Sequence, residues 1–341
     1  MQRSEAIVSP EEIQILLNLL EEEISVMYPL YRHFTLFNAR AKEEGYSLKI
    51  LLGLKEFEDQ QNEFLEFADE MPSYNDFISA LIASGAMKYE NLGDFLERAK
   101  SYSTLQKTVL FCPDTNVVYH RFITNTFSDF RNVLLIEIVR NEIESVLNFK
   151  YQEKDIVSMK KKARYQNFLL DEFVNRRMKR SRLAFLALTE YRFLRSYGLE
   201  IGAVGKGGKD KEENDYIIVK TLREFEKERS ALPILLTADN QMADLCKAEG
   251  IEFFHFKFPH VVSADFCSHG SMLRLIYSLA LIFGVIRLNS VVVFGEFRGK
   301  IGAEDLKLRF LDEKLWAKFE KHLRICRKLG RIGFEQGRVL F

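Results

Sequence analysis

Apolar positions along the chain follow three successive regimes. Over residues 1–102 they recur every three to four positions. Ile13, Leu16, Leu17, Leu20 and Ile24 fall on one helical face, and the same period runs through residues 30–41, 54–69, 75–86 and 92–99. Ser9-Pro10-Glu11-Glu12 reads as a helix start, with a capping hydroxyl, proline in the first turn and acids at the positive end of the dipole. Gly45, Pro72-Ser73 and residues 85–89 punctuate these runs, and the region is expected to be all-helical. From 108 to about 258, short apolar runs at 109–112, 133–136, 234–237 and 251–256 read as strands. Helices are expected after Asp114, Ile138, Glu212 and Asn240, and such alternation marks a parallel sheet. Beyond 258, residues 271–286 read as a buried helix, 289–297 and 306–311 as strands, and 312–329 as an amphipathic basic helix. The pattern leaves open whether this last region is a small α+β appendage or an extension completing the sheet.

Composition bounds the picture without changing it. With 341 residues, 47% of them hydrophobic and 29% charged, the chain has the size and make-up of a globular protein of two or three domains. Three are expected: 1–102; 103–262, with a basic helical insertion at about 155–197; and 263–341. The net charge is zero, but it is segregated. Residues 1–100 hold roughly ten more acids than bases and residues 150–182 roughly seven more bases than acids, so a polyanionic partner would meet one local surface. Cys112, Cys246, Cys267 and Cys326 form no Cys-x-x-Cys motif, which suggests free thiols in a reducing, cytoplasmic setting. The first residues lack the order of a signal peptide. Residues 272–286 are too short an apolar run to cross a bilayer and are interrupted by Arg274, so no membrane contact is expected.

Candidate chemistry lies in the middle regime. Asp114 ends the first strand, in Pro113-Asp114-Thr115-Asn116. Glu142 lies in the helix after the second strand. Asp215 opens a helix, in Glu213-Asn214-Asp215-Tyr216, and Asp239 follows the strand that ends at Thr237. Strand ends and helix N-terminal turns share the carboxyl edge of a parallel sheet, where sites of open α/β folds lie. Converging carboxylates repel unless a cation stands among them, and oxygen ligands of this kind suit Mg²⁺ or Mn²⁺ rather than zinc.

On these residues, the block 108–258 resembles a PIN-domain nuclease. It has an Asp-Thr-Asn after strand one, a helical Glu, an Asn-Asp opening a helix and a Thr-x-Asp after a later strand. The resemblance implies an α/β fold with a three-layer α/β/α core and a parallel sheet, preceded here by the helical domain and followed by the α+β region. It implies metal-dependent hydrolysis of phosphodiester bonds, usually in RNA, leaving 5′-phosphate and 3′-hydroxyl ends. Asp114, Glu142, Asp215 and Asp239 would hold the metal and carry catalysis, with Asn116 and Thr237 orienting the carboxylates. Glu137 competes with Glu142 for its place, and Asp244 is a further acid nearby. The gap between Glu142 and Asp215 is longer than this compact fold usually needs, which points to the insertion.

That insertion carries two basic clusters, Lys160, Lys161, Lys162 and Arg164, then Arg176, Arg177, Lys179, Arg180 and Arg182, with Tyr165 and Phe168 between them. They are candidates for a phosphate-backbone contact, and equally for a solvated helix face. The glycines at 202, 205, 207 and 208 fit neither a P-loop nor a dinucleotide fingerprint and read as a mobile loop. His269 near Cys267 is too isolated for zinc, and His33, His120, His255, His260 and His322 lack ligand spacing. A haloacid-dehalogenase-type phosphatase would need a second Asp where Asn116 stands. The expected partner is therefore RNA, with DNA not excluded, and with a protein partner or self-association through the N-terminal domain as a further expectation. The rival reading is a non-catalytic PIN-like module that binds RNA or protein within an assembly.

Overall fold

The computed structural model of the protein describes residues 4–20, 22–102, 104–126, 132–205, 207–208 and 210–331. The chain divides into two compact units. Met1–Met87, Phe149–Arg182 and Val261–Phe341 form the first; Lys88–Asn148 and Leu183–His260 form the second.

The first unit is built on an eight-stranded antiparallel sheet. Its order is Glu5–Val8, Leu306–Phe310, Val291–Phe294, Val285–Leu288, Glu23–Met27, Thr35–Lys42, Gly45–Ile50 and Phe266–Ser268. Four of these strands lie within residues 1–102, so the all-helical expectation is corrected. Helices do form at Ile13–Leu19, Leu54–Asn62 and Tyr74–Ser84, but Ile24 and the run 35–42 are strand. The reason is long-range pairing. Thr35–Lys42 lies between two neighbours, with Phe37 opposite Val26 on one side and Ile50 on the other. Leu36, Phe37 and Ala39 are fully buried there, and such packing overrides a local period. The C-terminal strands join strands from the chain's beginning, Glu5 facing Arg309 and Met27 facing Arg287. They therefore neither stand apart as an appendage nor extend the parallel sheet.

Helix His269–Phe283 is buried along most of its length, as the apolar run predicted, and among the described residues no helix is long and apolar enough to cross a membrane. Glu313–Arg331 is the expected amphipathic basic helix, burying Phe319 and Leu323; the Phe319 ring lies 4.9 Å from that of Phe310. The anticipated basic insertion is not one helix. It comprises Glu153–Lys162, a 3-10 turn at Asn167–Phe173, and Lys179–Arg195, whose residues from Leu183 onward count with the second unit.

The second unit contains the parallel sheet expected of the middle block. Thr108–Pro113 pairs in parallel with Ala231–Thr237, which pairs in parallel with Phe253–His255. Leu134–Ile136 pairs in parallel with Leu199–Ile201, and the bridge between Phe111 and Val133 links the two sets. The 199–201 strand has no counterpart in the apolar pattern, because its three residues include Glu200 and none is fully buried. Leu92–Tyr102, anticipated within the N-terminal domain, belongs to this unit. Its Phe95 packs against Phe254 and Phe256, with ring centroids 5.0 and 5.1 Å away.

Candidate active site

Parallel strands in register finish at one edge and deliver the residues that follow them to the same place. Pro113 stands opposite Leu236, and the Asp114 amide donates to the Leu236 carbonyl at 2.9 Å. Asp114 then caps the short helix Thr115–Tyr119, its Oδ1 accepting from the Val117 amide at 2.8 Å. Its Oδ2 accepts from the Thr237 hydroxyl. The same hydroxyl oxygen accepts from the Asp239 amide at 2.9 Å, so Thr237 ties Asp114 to the Asp239 backbone. Asp239 caps helix Asn240–Glu249 through Oδ1 and the Gln241 amide at 2.9 Å. Its Oδ2 accepts from the Asn116 side-chain Nδ2 at 3.3 Å and from the Lys211 ammonium at 2.5 Å. Capping and site-building are thus one act for both residues: the side chain that starts the helix is the one that faces the cavity.

Glu142 comes from helix Glu137–Ser145. Its Oε1 accepts from the Asn214 side-chain amide at 2.8 Å and its Oε2 from the Thr115 hydroxyl. Asp215 lies on the first turns of helix Lys211–Glu228, four residues after Lys211. Asp114, Glu142, Asp215 and Asp239, with Asn116 and Lys211, line one cavity of about 530 Å³. Glu137 and Asp244 do not line it. Glu137 pairs with Arg140 and Asp244 with Lys247, each at 2.9 Å.

Burial shapes the electrostatics. Asp114 is 2% exposed, and loss of solvent pushes its carboxyl up to about 7 despite the opposing bonds from Thr237 and Val117, with Asp239 and Asp215 adding to the rise. Asp215 is likewise raised, to about 6, by burial first, then by Glu142 and Asp239, against the pull of Lys211. Burial also works upward on Asp239, but the Lys211 ammonium and the backbone amides at the helix start outweigh it and hold this carboxyl below its ordinary value. Lys211 is raised in turn, chiefly by its bond to Asp239.

The potential ligands at this cavity are carboxylates, amides and hydroxyls, with no thiol or imidazole among its lining residues. That is the donor chemistry of a hard divalent cation. The spacing as it stands does not complete a coordination shell: among the described residues, no group of three or more His, Cys, Asp or Glu side chains could hold a metal ion. Glu142, Asp114 and Asp239 are each engaged by the partners named above.

Three residues that face the site were not singled out from sequence. Thr115 and Asn214 hold Glu142, and Lys211 neutralises Asp239. Asn214 also exchanges two bonds with Gly208, donating to its carbonyl at 3.2 Å and accepting from its amide at 2.9 Å, so the described part of the glycine loop is anchored to the site helix. The signal for Lys211 was its spacing of one helical turn before Asp215.

The basic clusters belong to the first unit, up to and including Arg182. Lys160 pairs with Asp171, Lys162 with Glu66, Arg164 with Glu63, Arg176 with Glu296 and Lys179 with Asp76. Arg180 lies over the Phe149 ring at 3.4 Å, and Arg182 is buried and donates to the Arg177 and Ile282 carbonyls. Lys161 is exposed and Arg177 half-buried. Most of these charges serve ion pairs within their own unit.

Residues 111–257 match the family described as PIN domain. This matched block of the chain contains all four cavity carboxylates. Among solved structures, a domain of a functionally unknown protein from Methanocaldococcus jannaschii DSM 2661 is similar at 20% identity, covering 46% of this chain and 96% of its own length with a TM-score of 0.30. No curated protein matches the chain.

Proposed function

We propose that the chain is a metal-dependent ribonuclease whose site is formed by Asp114, Glu142, Asp215 and Asp239. The observation that carries this reading is the meeting of these acids, from four separate elements of a nuclease-like PIN fold, at a single cavity. Mg²⁺ or Mn²⁺ held by them would lower the pKa of an attacking water and offset charge on the leaving oxygen. The chain's own residues do the positioning. Thr237 fixes Asp114 and the Asp239 backbone, Asn116 bonds the Asp239 carboxylate, and Thr115 with Asn214 fixes both oxygens of Glu142. The substrate class, RNA with 5′-phosphate and 3′-hydroxyl products, follows from the resemblance.

With Mn²⁺ or Mg²⁺ present, purified protein is expected to cleave members of an RNA panel, and Asp114→Asn to lose about 100-fold or more of that rate. Cleavage undiminished in the variant would assign the activity to another site or a contaminant. One observation favours the second reading, a non-catalytic module that binds RNA or protein: an ammonium, from Lys211, already occupies Asp239. RNA binding without cleavage under any divalent cation would select that reading.

A further inference from the structure

Lys211 is locally misplaced. It is the first residue of helix Lys211–Glu228, where the aligned peptide dipoles favour acids, and Glu212 and Glu213 follow it. A cation at a helix start is disfavoured by the helix dipole, and besides Asp215 one turn on, its place there is stabilised chiefly by a partner beyond the helix. That partner is Asp239, 28 residues away, whose Oδ2 lies 2.5 Å from the Lys211 Nζ. The two sides of this pair differ in freedom. The Asp239 side chain is 16% exposed, and its oxygens are fixed by the Gln241 amide and the Asn116 side chain. The Lys211 side chain is 59% exposed on a flexible stem. If the pair opens, the lysine moves and the carboxylate stays.

We infer that Lys211 is a tethered counter-ion of the carboxylate site, displaced from Asp239 when a divalent cation enters, and that it thereby sets the cation affinity of the site. This rests on the metal-site reading above. It accounts for the one respect in which the cavity falls short of that reading, oxygen donors of the right chemistry without a completed ligand group. A divalent ion would bring two charges to a cluster where the ammonium brings one, and the freed stem would swing into solvent.

The test is the thermal midpoint of the full-length protein across a Mn²⁺ titration, for wild type, Lys211→Met, which keeps the stem and removes the charge, and Lys211→Arg, which keeps the charge. Lys211→Met is expected to reach its half-maximal shift at about five-fold lower Mn²⁺. Its metal-free midpoint should also fall below that of wild type, since its carboxylates lose their counter-ion, while Lys211→Arg should stay near wild type on both measures. An unchanged or higher Mn²⁺ requirement in Lys211→Met would overturn the counter-ion role and leave the metal site standing. Absence of any Mn²⁺-dependent shift in all three proteins would overturn the metal site itself, and this inference with it.

Discussion

At the scale of single residues, two of the cavity's carboxylates, Asp114 and Asp215, are kept in place at electrostatic cost. Asp114 shows this most clearly, being buried, bonded through both oxygens, and raised to about 7. An acid whose folded-state pKa lies above its unfolded value of 3.8 holds its proton more tightly in the folded state. Its contribution to stability is therefore full below about pH 4 and is lost as pH rises through about 7. Asp215, raised to about 6, acts in the same direction over a narrower window. The metal-free Asp114→Asn protein, which has no charge to bury, should gain stability relative to wild type as pH rises from 4 to 8. The gain is at most about 4 kcal/mol, from roughly three pKa units. Paired thermal melts across that range, in chelator, measure it, and a constant difference would show that Asp114 is not held in a depleted-charge environment. Little of this electrostatic balance is legible in sequence. The places of the four acids at strand ends and helix starts suggested a cluster, and the resemblance implied Asn116 and Thr237 beside them, but only register shows that one hydroxyl joins the Asp114 carboxyl to the Asp239 backbone.

At the scale of elements, helix starts and strand ends do the positioning, and Gly207 and Gly208 of the glycine loop lie against Ile138 and Asn214. A Cβ on Gly207 would stand 2.7 Å from the Ile138 Cδ1 and 3.0 Å from the Asn214 Oδ1. Ile138 is 2% exposed on the helix that carries Glu142, so it cannot give way freely. Gly207→Ala should therefore cost about 1–3 kcal/mol by overpacking, and Ile138→Val in the same protein should recover part of the loss. Urea unfolding of the two variants decides it; a fully stable Gly207→Ala would mean that the loop has room. From sequence this loop read as mobile, because glycines announce permissive backbone and say nothing of what approaches it. The approach comes from Asn214, a residue quoted in the helix-opening motif yet given no role there. The strand at Leu199–Ile201 was missed for a related reason. One exposed and two half-buried residues carry no period, and their pairing with Leu134–Ile136 supplies the only signal.

At the scale of the whole molecule, the first unit is assembled from three separated stretches of chain. Glu172, on the Asn167–Phe173 turn, accepts from Lys307 and Arg309, each at 2.7 Å, and from the Arg298 amide at 3.2 Å. Glu5 reaches the same two cations, through its 2.6 Å bond from Arg309 and a 3.6 Å approach to Lys307. Burial raises the Glu172 carboxyl, but the bond and charge of Lys307, followed by the Arg298 amide and Arg309, leave it below its usual range. Its contribution is therefore present above the ordinary carboxylate pKa and lost on acidification. Glu172→Ala would strand two largely buried cations. The expected loss is about 3 kcal/mol, read as a lowered denaturation midpoint with unchanged slope. A neutral outcome would mean that Glu5 alone suffices for both cations.

The sequence by itself determined the elements whose signals are local: the buried helix at His269–Phe283, the basic amphipathic helix at Glu313–Arg331, and the alternation behind the parallel sheet. It also placed Asp114, Glu142, Asp215 and Asp239 on their elements, because acids at strand ends and helix starts are written in short motifs. The tertiary structure decided what depends on partners distant along the chain. It turned residues 35–42 into a strand, set Glu5 beside Arg309, spent most of the basic clusters on nearby carboxylates, and put Lys211 against Asp239. Strand pairing and ion pairing draw their energy from whichever groups the fold brings near, and a period of three or four residues carries no record of them.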